Sequence, residues 1–269
     1  MIDTYVNNIK TVAVCFSGEP RMYNICAQSI KNFFNLPGVD VRYFAHTWNS
    51  NSYKVKDDDG VRFESEEYDV DFIRNDIVNF YDFEKLEVEQ KFQNREAWDN
   101  LFYSDAKSNL FKREFEHKHN MIFDVVVKCR FDLAFYPGMN FKRHIKNACH
   151  HVHDKTIYSE LFLMINEYYL PNIDDIFYYG SSFAMDTVQS SMPYIANNFY
   201  NEMYTDINMD ENPYYNIAGP GLCMYRWVKQ TNMLIHRIAR PCIIYRKQAI
   251  PTDPVTQFDE LRKKSSNIY

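Results

Sequence analysis

TVAVCFSGEPRMYNICAQSIKNFFNLPGVDVRYFAHTW, residues 11–48, decides the fold. Thr11 to Phe16 is a short apolar run that stops abruptly at Ser17-Gly18, followed by Glu19-Pro20-Arg21. That pattern predicts a buried strand, a turn, and a helix with Pro20 in its first turn. Ile25, Ile30, Phe33 and Phe34 form its apolar stripe to about Asn35, and Pro37-Gly38 stops it. A second strand follows from Val39 to Ala45, ending in His46-Thr47-Trp48. Strand, crossover helix, strand is the first unit of an α/β domain with a parallel sheet.

Further along, residues 49–69 turn polar, with the acid run Asp57-Asp58-Asp59-Gly60, and read as an exposed loop. A small helix is expected around 70–79, a strand around Lys85–Glu89 and a helix over 98–119. The helix delivers the chain into FDVVVKCRFDLAFY, residues 123–136, where a buried valine strand ends in Arg130 and Asp132. A charged pair there costs several kcal/mol of desolvation unless something neutralises it. The partner is each other, a solvent-filled cleft, or a ligand. Beyond residue 138 the alternation weakens. Strands are expected at 155–159, 175–184 and Cys242–Tyr245, and helices at 187–200 and 218–233. The tail from Pro251 reads as a surface segment. The whole is read as one domain, residues 1–269: an α/β half (1–137), a mixed α+β half (138–250) and the tail (251–269).

Of the 269 residues, 46% are hydrophobic and 17% aromatic, ample for a packed core rather than disorder. A net charge of −6 argues against a nucleic-acid partner held by bulk electrostatics. Cys15, Cys26, Cys129, Cys149, Cys223 and Cys242 include no CxxC and read as single thiols in a reducing compartment. The amino terminus lacks a signal-peptide pattern, and no stretch approaches the ~18 apolar residues of a membrane span. A cytoplasmic protein without a transmembrane segment is expected. Abundant Asn, Tyr, Ile and Phe point to an AT-rich genome; if that genome is viral, the compartment is the host cytoplasm.

In open parallel sheets, ligands bind beyond the carboxyl ends of the strands. SGEPR, HTW and CRFD all reach that edge. Gly18 admits close backbone approach, and a helix start near Pro20 offers N–H groups and a positive dipole end to phosphate. Arg21 adds charge, Trp48 and Tyr43 offer faces to a base, and Asp132 offers oxygen to a hard cation. The composite is a nucleotide-diphosphate site with one metal-capable carboxylate. Each piece has a plainer alternative: Ser-Gly as an ordinary turn, Trp48 as a core or rim aromatic, and Arg130 and Asp132 as partners of neighbours across the sheet.

The sequence also resembles a family. Tyr103-Ser104, Lys107, Phe115-Glu116 and FDVVVKCRFDL are similar to the "YS" helix, "yE" and "YD-v-V-i-x-x-R-x-D-L" segments of small bacterial and viral glycosyltransferases of the GT-A fold. VAVCFSGEPR resembles their "SG-x-x-R" segment. DVRYFAHTW, with Asp40, Phe44, His46, Thr47 and Trp48, resembles "D-x-F-x-H-T-W". DIFYYGSSFAMD, residues 175–186, resembles "D-x-F-x-x-G-x-x-x-x-M-D". The segments follow in order over most of the chain.

The resemblance implies a GT-A-like (Rossmann-like), mostly parallel central sheet flanked by helices. It further implies a transferase that moves a sugar from a UDP-, GDP- or TDP-linked donor to a hydroxyl of a saccharide or glycan acceptor. Ser17, Gly18 and Arg21 would line the diphosphate, His46 and Trp48 the nucleotide; Ser104 and Lys107 would face the donor. Asp132 would stand where such enzymes bear a metal-binding Asp-x-Asp, with Mn²⁺ or Mg²⁺ as the cofactor. Here the first carboxylate of that pair is Arg130, which with Lys107 offers direct neutralisation instead. Gly219-Pro220-Gly221 replaces the Pro-Glu sought near the last long helix. A general base for an inverting reaction would then be Asp186 or Glu211, unless Asp186 is a helix N-cap; a retaining enzyme needs neither. Tyr178 and Tyr179 are the expected stacking surfaces for the acceptor sugar.

Other clusters carry less. CHHVH (149–153) fits no zinc spacing, and the Asp57–Asp59 run lacks calcium-loop spacing. No GxGxxG, P-loop or GxSxG occurs. The rivals are a carbohydrate- or nucleotide-binding protein without turnover and, more weakly, a nucleotidyltransferase, for which SGEPR is too short a phosphate loop.

Overall fold

Val125, Val127 and Cys129 face one side of the central sheet, and Val126 and Lys128 face the other, because strand side chains alternate with period two. That alternation organises the whole molecule. The computed structural model describes residues 6–57, 60–92, 97–150, 161–163, 176–190, 235–237 and 241–244. The chain begins β1 (Thr11–Phe16), α1 (Tyr23–Phe34), β2 (Asp40–Trp48), β3 (Ser50–Asp57), β4 (Gly60–Glu67), α2 (Val70–Val78) and β5 (Phe83–Glu89). It continues α3 (Ala97–His119), β6 (Val125–Cys129), β7 (Leu133–Phe135), α4 (Phe141–His150) and β8 (Leu161–Leu163). Then come β9 (Tyr178–Gly180), α5 (Ser182–Gln189), β10 (Ile235–Arg237) and β11 (Cys242–Ile244).

Seven strands form one sheet in the order β10-β8-β9-β6-β1-β2-β5. β1 lies parallel to β2 and β6, β2 to β5, and β8 to β10; β9 alone runs antiparallel, between β6 and β8. The protein is therefore α/β, with a mostly parallel central sheet flanked by helices, compatible with a Rossmann-like fold. Parallel strands are buried on both faces, which is why TVAVCF and VVVKC read as nearly continuous apolar runs.

The two faces differ in chemistry. On the α1 side, Val12, Val14, Phe16, Val127, Cys129 and Phe131 pack with Ile30 and Phe33 in one apolar core. Phe33 stacks on Phe135 of β7 with ring centres 3.9 Å apart, and Phe16 stacks on Phe131 at 4.9 Å. Burying each such side chain contributes about 1.5–3 kcal/mol. The α3 side is partly polar. Lys112 and Lys128 are both fully buried there. Lys112 Nζ donates to Glu116 (2.9 Å), Ser182 (2.6 Å) and Asp186 (2.8 Å), so its charge is compensated. β7 and β11 pair separately as a small antiparallel sheet.

Several expectations are corrected. Residues 49–69 are not a loop: β3 and β4 form an antiparallel hairpin, from Ser50 opposite Glu67 to Asp57 opposite Gly60. Its apolar residues Tyr53, Val55, Val61 and Phe63 alternate with polar ones, a strand period hidden by high overall polarity. The first helix starts at Tyr23 rather than near Pro20, because Met22 adopts the left-handed conformation (φ 51°). The strand expected over 175–184 shrinks to β9, and the helix after it begins at Ser182 rather than 187. Its N-cap is Ser181, whose side chain accepts from Ala184 N–H at 3.2 Å, so Asp186 is mid-helix and not a cap. The valine strand does not run on into Arg130 and Asp132: β6 ends at Cys129 and a turn follows. The expected strand at 155–159, the helix at 218–233 and the tail lie outside the described residues.

Candidate functional site

The register brings four strand ends to one edge. Phe16 pairs with Ala45 and with Cys129, and His46 pairs with Glu87. The segments that follow, Ser17-Gly18, His46-Thr47-Trp48, Glu87-Val88-Glu89 and Arg130-Phe131-Asp132, therefore stand side by side at the carboxyl end of the sheet. The first half of α3 lies against them.

The turn after β1 is fastened on several sides. Ser17 is buried, its N–H donates to Cys129 O (3.2 Å), and its hydroxyl donates to the buried Asp105 carboxylate. Gly18 has φ 95°, which side-chain-bearing residues rarely adopt. Its N–H donates to Ser104 Oγ at 2.8 Å, and its carbonyl accepts from Thr47 Oγ1 at 2.8 Å. Ser104 in turn donates to His46 O at 3.0 Å, with His46 Nδ1 also 3.0 Å away. Since the hydroxyl proton is committed to that carbonyl, hydrogen-bond bookkeeping assigns the imidazole proton to Nδ1. Burial pushes the His46 pKa down to about 3, with Lys107 acting the same way against Glu87, so the ring is neutral. Its Nε2 has no hydrogen-bond partner and lies 3.7 Å from Glu89 Oε1. Trp48 is buried, with ring centre 4.8 Å from that of His46 and 5.7 Å from that of Tyr103.

Glu19 is the busiest carboxylate at this edge. Its Oε2 accepts from Arg21 Nε (2.7 Å) and Ser52 N–H (2.8 Å), with Arg21 Nη2 2.5 Å away. Its Oε1 accepts from Ser52 Oγ (2.7 Å) and Lys91 Nζ (2.5 Å). Burial alone would raise its pKa, but Arg21, Lys91 and Ser52 together hold it down at about 2. Among the described residues, the N–H groups of Glu19, Arg21, Met22, Tyr23 and Asn24 find no acceptor. They lead into α1, whose first turn carries no acidic residue and whose N-cap makes no side-chain bond. Such a run of free donors at a helix start suits phosphate.

Arg130 spans both oxygens of Asp132, Nε to Oδ1 at 2.9 Å and Nη2 to Oδ2 at 2.5 Å. The Asp132 side chain is 1% exposed, while that of Arg130 keeps 18%. The pair lies next to the glycine turn, through the Ser17–Cys129 bond. With both oxygens committed to a guanidinium, Asp132 as it stands does not fit a resident Mn²⁺ or Mg²⁺. Among the described residues no group of three or more His, Cys, Asp or Glu converges as metal ligands. Lys107 faces Glu89 (3.1 Å) and Glu87 (3.4 Å). Burial works against its charge, yet those carboxylates and Tyr103 raise its pKa.

Thus Ser17, Gly18, Arg21, His46, Trp48, Ser104, Lys107, Arg130 and Asp132 meet at one edge. Of the other candidates, Tyr178 reaches them only as a buried ring through Asp105, and Asp186 and Tyr179 do not join them. Because β9 runs antiparallel to β6, it leads α5 to the opposite edge. Asp186 there accepts from Lys112 and Asn109, both at 2.8 Å, about 7–12 Å farther along α3 than Ser104. Tyr178 is buried, its hydroxyl donating to Asp105 at 3.2 Å. Tyr179 is buried on the other face, 5.0 Å from Phe141 between ring centres. Both rings are covered by protein. Glu211 lies outside the described residues. Sequence reasoning missed Glu19, although it sits inside SGEPR, and Asp105, one residue from Ser104. It also missed Lys91, which no local pattern marks. Two open clefts of about 380 and 530 Å³ run along α1 at the amino ends of β2 and β5, away from this edge. Compared with known proteins, the sequence matches no family model and no curated protein.

Proposed function

We propose that the protein is a glycosyltransferase that moves a sugar from a nucleotide-sugar donor to a hydroxyl of a saccharide or glycan acceptor. The observation that carries this reading is the glycine turn after β1. A positive-φ glycine, a run of unpartnered N–H groups, Arg21 and the Arg130–Asp132 pair meet beyond the carboxyl ends of parallel strands. This is where an α/β sheet takes a nucleotide. In the reaction the acceptor oxygen attacks the anomeric carbon, the bond from that carbon to the diphosphate oxygen breaks, and the nucleoside diphosphate leaves. Negative charge develops on the departing diphosphate, and the free N–H groups and both arginines are placed to stabilise it. The acceptor proton passes to a base still to be assigned: Glu211 stays a candidate, whereas Asp186 stands at the opposite edge against Lys112. Divalent-cation dependence is measured in the same titration. No helix among the described residues is long and apolar enough to cross a membrane; a cytoplasmic location is part of the proposal.

Thermal-shift titration with UDP, GDP, TDP and CMP, each with and without Mn²⁺, tests the reading, followed by turnover of the matching nucleotide sugars. A nucleotide-specific rise in Tm, lost in Arg130→Ala, is expected. No shift with any nucleotide, or an Arg130→Ala variant that binds normally, would overturn it.

A second reading, a carbohydrate- or nucleotide-binding protein without turnover, is favoured by one observation. Arg21, Lys91, Lys107 and Arg130 each already hold a carboxylate at this edge. Donor binding with no nucleoside diphosphate released under any acceptor decides for it.

A further inference from the structure

Glu19 gathers side chains from three separate segments: Arg21 from its own turn, Ser52 from β3, and Lys91 from the stretch after β5. Its side chain is 8% exposed, whereas those of Arg21 and Lys91 are 32% and 26% exposed. Two cations around one carboxylate leave one positive charge in excess. A guanidinium has five N–H donors and an ammonium three. Arg21 spends one on Glu19, with its Nη2 in ion-pair contact at 2.5 Å, and Lys91 spends one on Glu19 and one on Ser52 Oγ at 3.1 Å. Both cations thus keep donors toward solvent beside the unpartnered N–H groups of Glu19 and residues 21–24.

We propose that Glu19 is a positioning residue that holds Arg21 and Lys91 together, and that the two cations jointly bind a phosphate group of the ligand. Lys91 becomes a binding residue, and the hairpin β3–β4, through Ser52, is tied to the phosphate subsite. The proposal rests on the nucleotide-sugar reading only for the identity of the phosphate's carrier. The low pKa of Glu19 keeps the carboxylate charged at any physiological pH, as its positioning role requires.

The test is calorimetric titration of the full chain with pyrophosphate and with UDP, GDP and TDP. Lys91→Met is expected to weaken the best-bound nucleotide about tenfold and to make its affinity less salt-dependent, while Lys91→Arg stays within about threefold of wild type. Glu19→Gln, whose amide hydrogens confront the donors, should weaken binding to a similar degree. In the Lys91→Met background its effect should shrink to about threefold or less, the coupling expected of groups that act together. Binding within about twofold of wild type in Lys91→Met, or effects of the two changes that simply multiply, overturns the proposal. Lys91→Met changes a partly exposed side chain and decides the question even where Glu19→Gln does not fold. Pyrophosphate binding that follows this pattern without turnover of any nucleotide sugar leaves the subsite standing and removes the proposed activity. Turnover with an indifferent Lys91→Met does the reverse.

Discussion

Ser104 accepts a 2.8 Å hydrogen bond from Gly18 and donates a 3.0 Å one to the carbonyl of His46, so one hydroxyl ties the turn after β1 to the end of β2. Ser104→Ala leaves both buried backbone groups without that partner. A loss of about 1–3 kcal/mol of stability is expected, read as a lower urea midpoint at unchanged slope. A variant as stable as wild type would mean that the turn is held by Ser17 and Thr47 alone.

Gly18 has open space where a Cβ would stand, so only its backbone conformation requires glycine. Gly18→Ala is expected to cost about 1–2 kcal/mol and to reduce nucleotide affinity by displacing the N–H groups that follow. Chemical denaturation and nucleotide titration measure the two effects separately.

The Arg130–Asp132 pair separates stability from binding. Arg130→Met strands a carboxylate that is 1% exposed, a change expected to cost about 3–5 kcal/mol. The double variant Arg130→Met/Asp132→Leu should recover most of that stability and none of the ligand binding. Recovery of both would make the pair a packing feature only.

Asp186 can be judged in the same way. Lys112 is buried with Asp186 and Glu116 as its counter-charges. Asp186→Asn is expected to lower stability by about 2–3 kcal/mol through that lysine, with activity per folded molecule little changed. Loss of turnover at unchanged Tm would instead identify Asp186 as the general base.

Acid sensitivity should begin above the carboxylate range. Burial pushes the His144 pKa down from 6.5 to about 4, and that of His46 to about 3. Above pH 6.5 both rings are neutral whether folded or not. As the pH falls below 6.5 the unfolded chain takes up protons that the folded chain refuses, so stability declines until the folded pKa is reached. At pH 5 each histidine should account for about 2 kcal/mol of lost stability. Glu19, held at about 2 against an ordinary 4.5, adds a later loss as the pH falls from 4.5 toward 2. His144→Phe should flatten the decline in Tm between pH 7 and 5, leaving the loss below pH 4.5 in place.

Sequence reading found what local patterns encode. The apolar runs, the Pro37-Gly38 stop and the stripe ending in Phe33 and Phe34 gave β1, α1 and β2 within a few residues, and the parallel sheet with them. Lys128 inside the valine strand is understood only from the structure, which turns it to the α3 face, 3.8 Å from Asp105. The hairpin was misread because its polar residues outnumber the apolar ones that set its period. Arg130 and Asp132 were recognised as a pair of interest, but the turn that joins them depends on where β6 stops. Lys91 was invisible because its partner Glu19 is 72 residues away, and no spacing rule spans that distance.

β1 lies inside the sheet, between β6 and β2, although its β6 neighbour is made much later. Its amino end meets its β6-side neighbour through Thr11 and Asp124, 113 residues apart, and until that partner leaves the ribosome one edge of this apolar strand has nothing to pair with. During synthesis β1 can align with β2 early, but closure awaits the valine strand, and chaperones would be expected to engage the nascent chain in that interval.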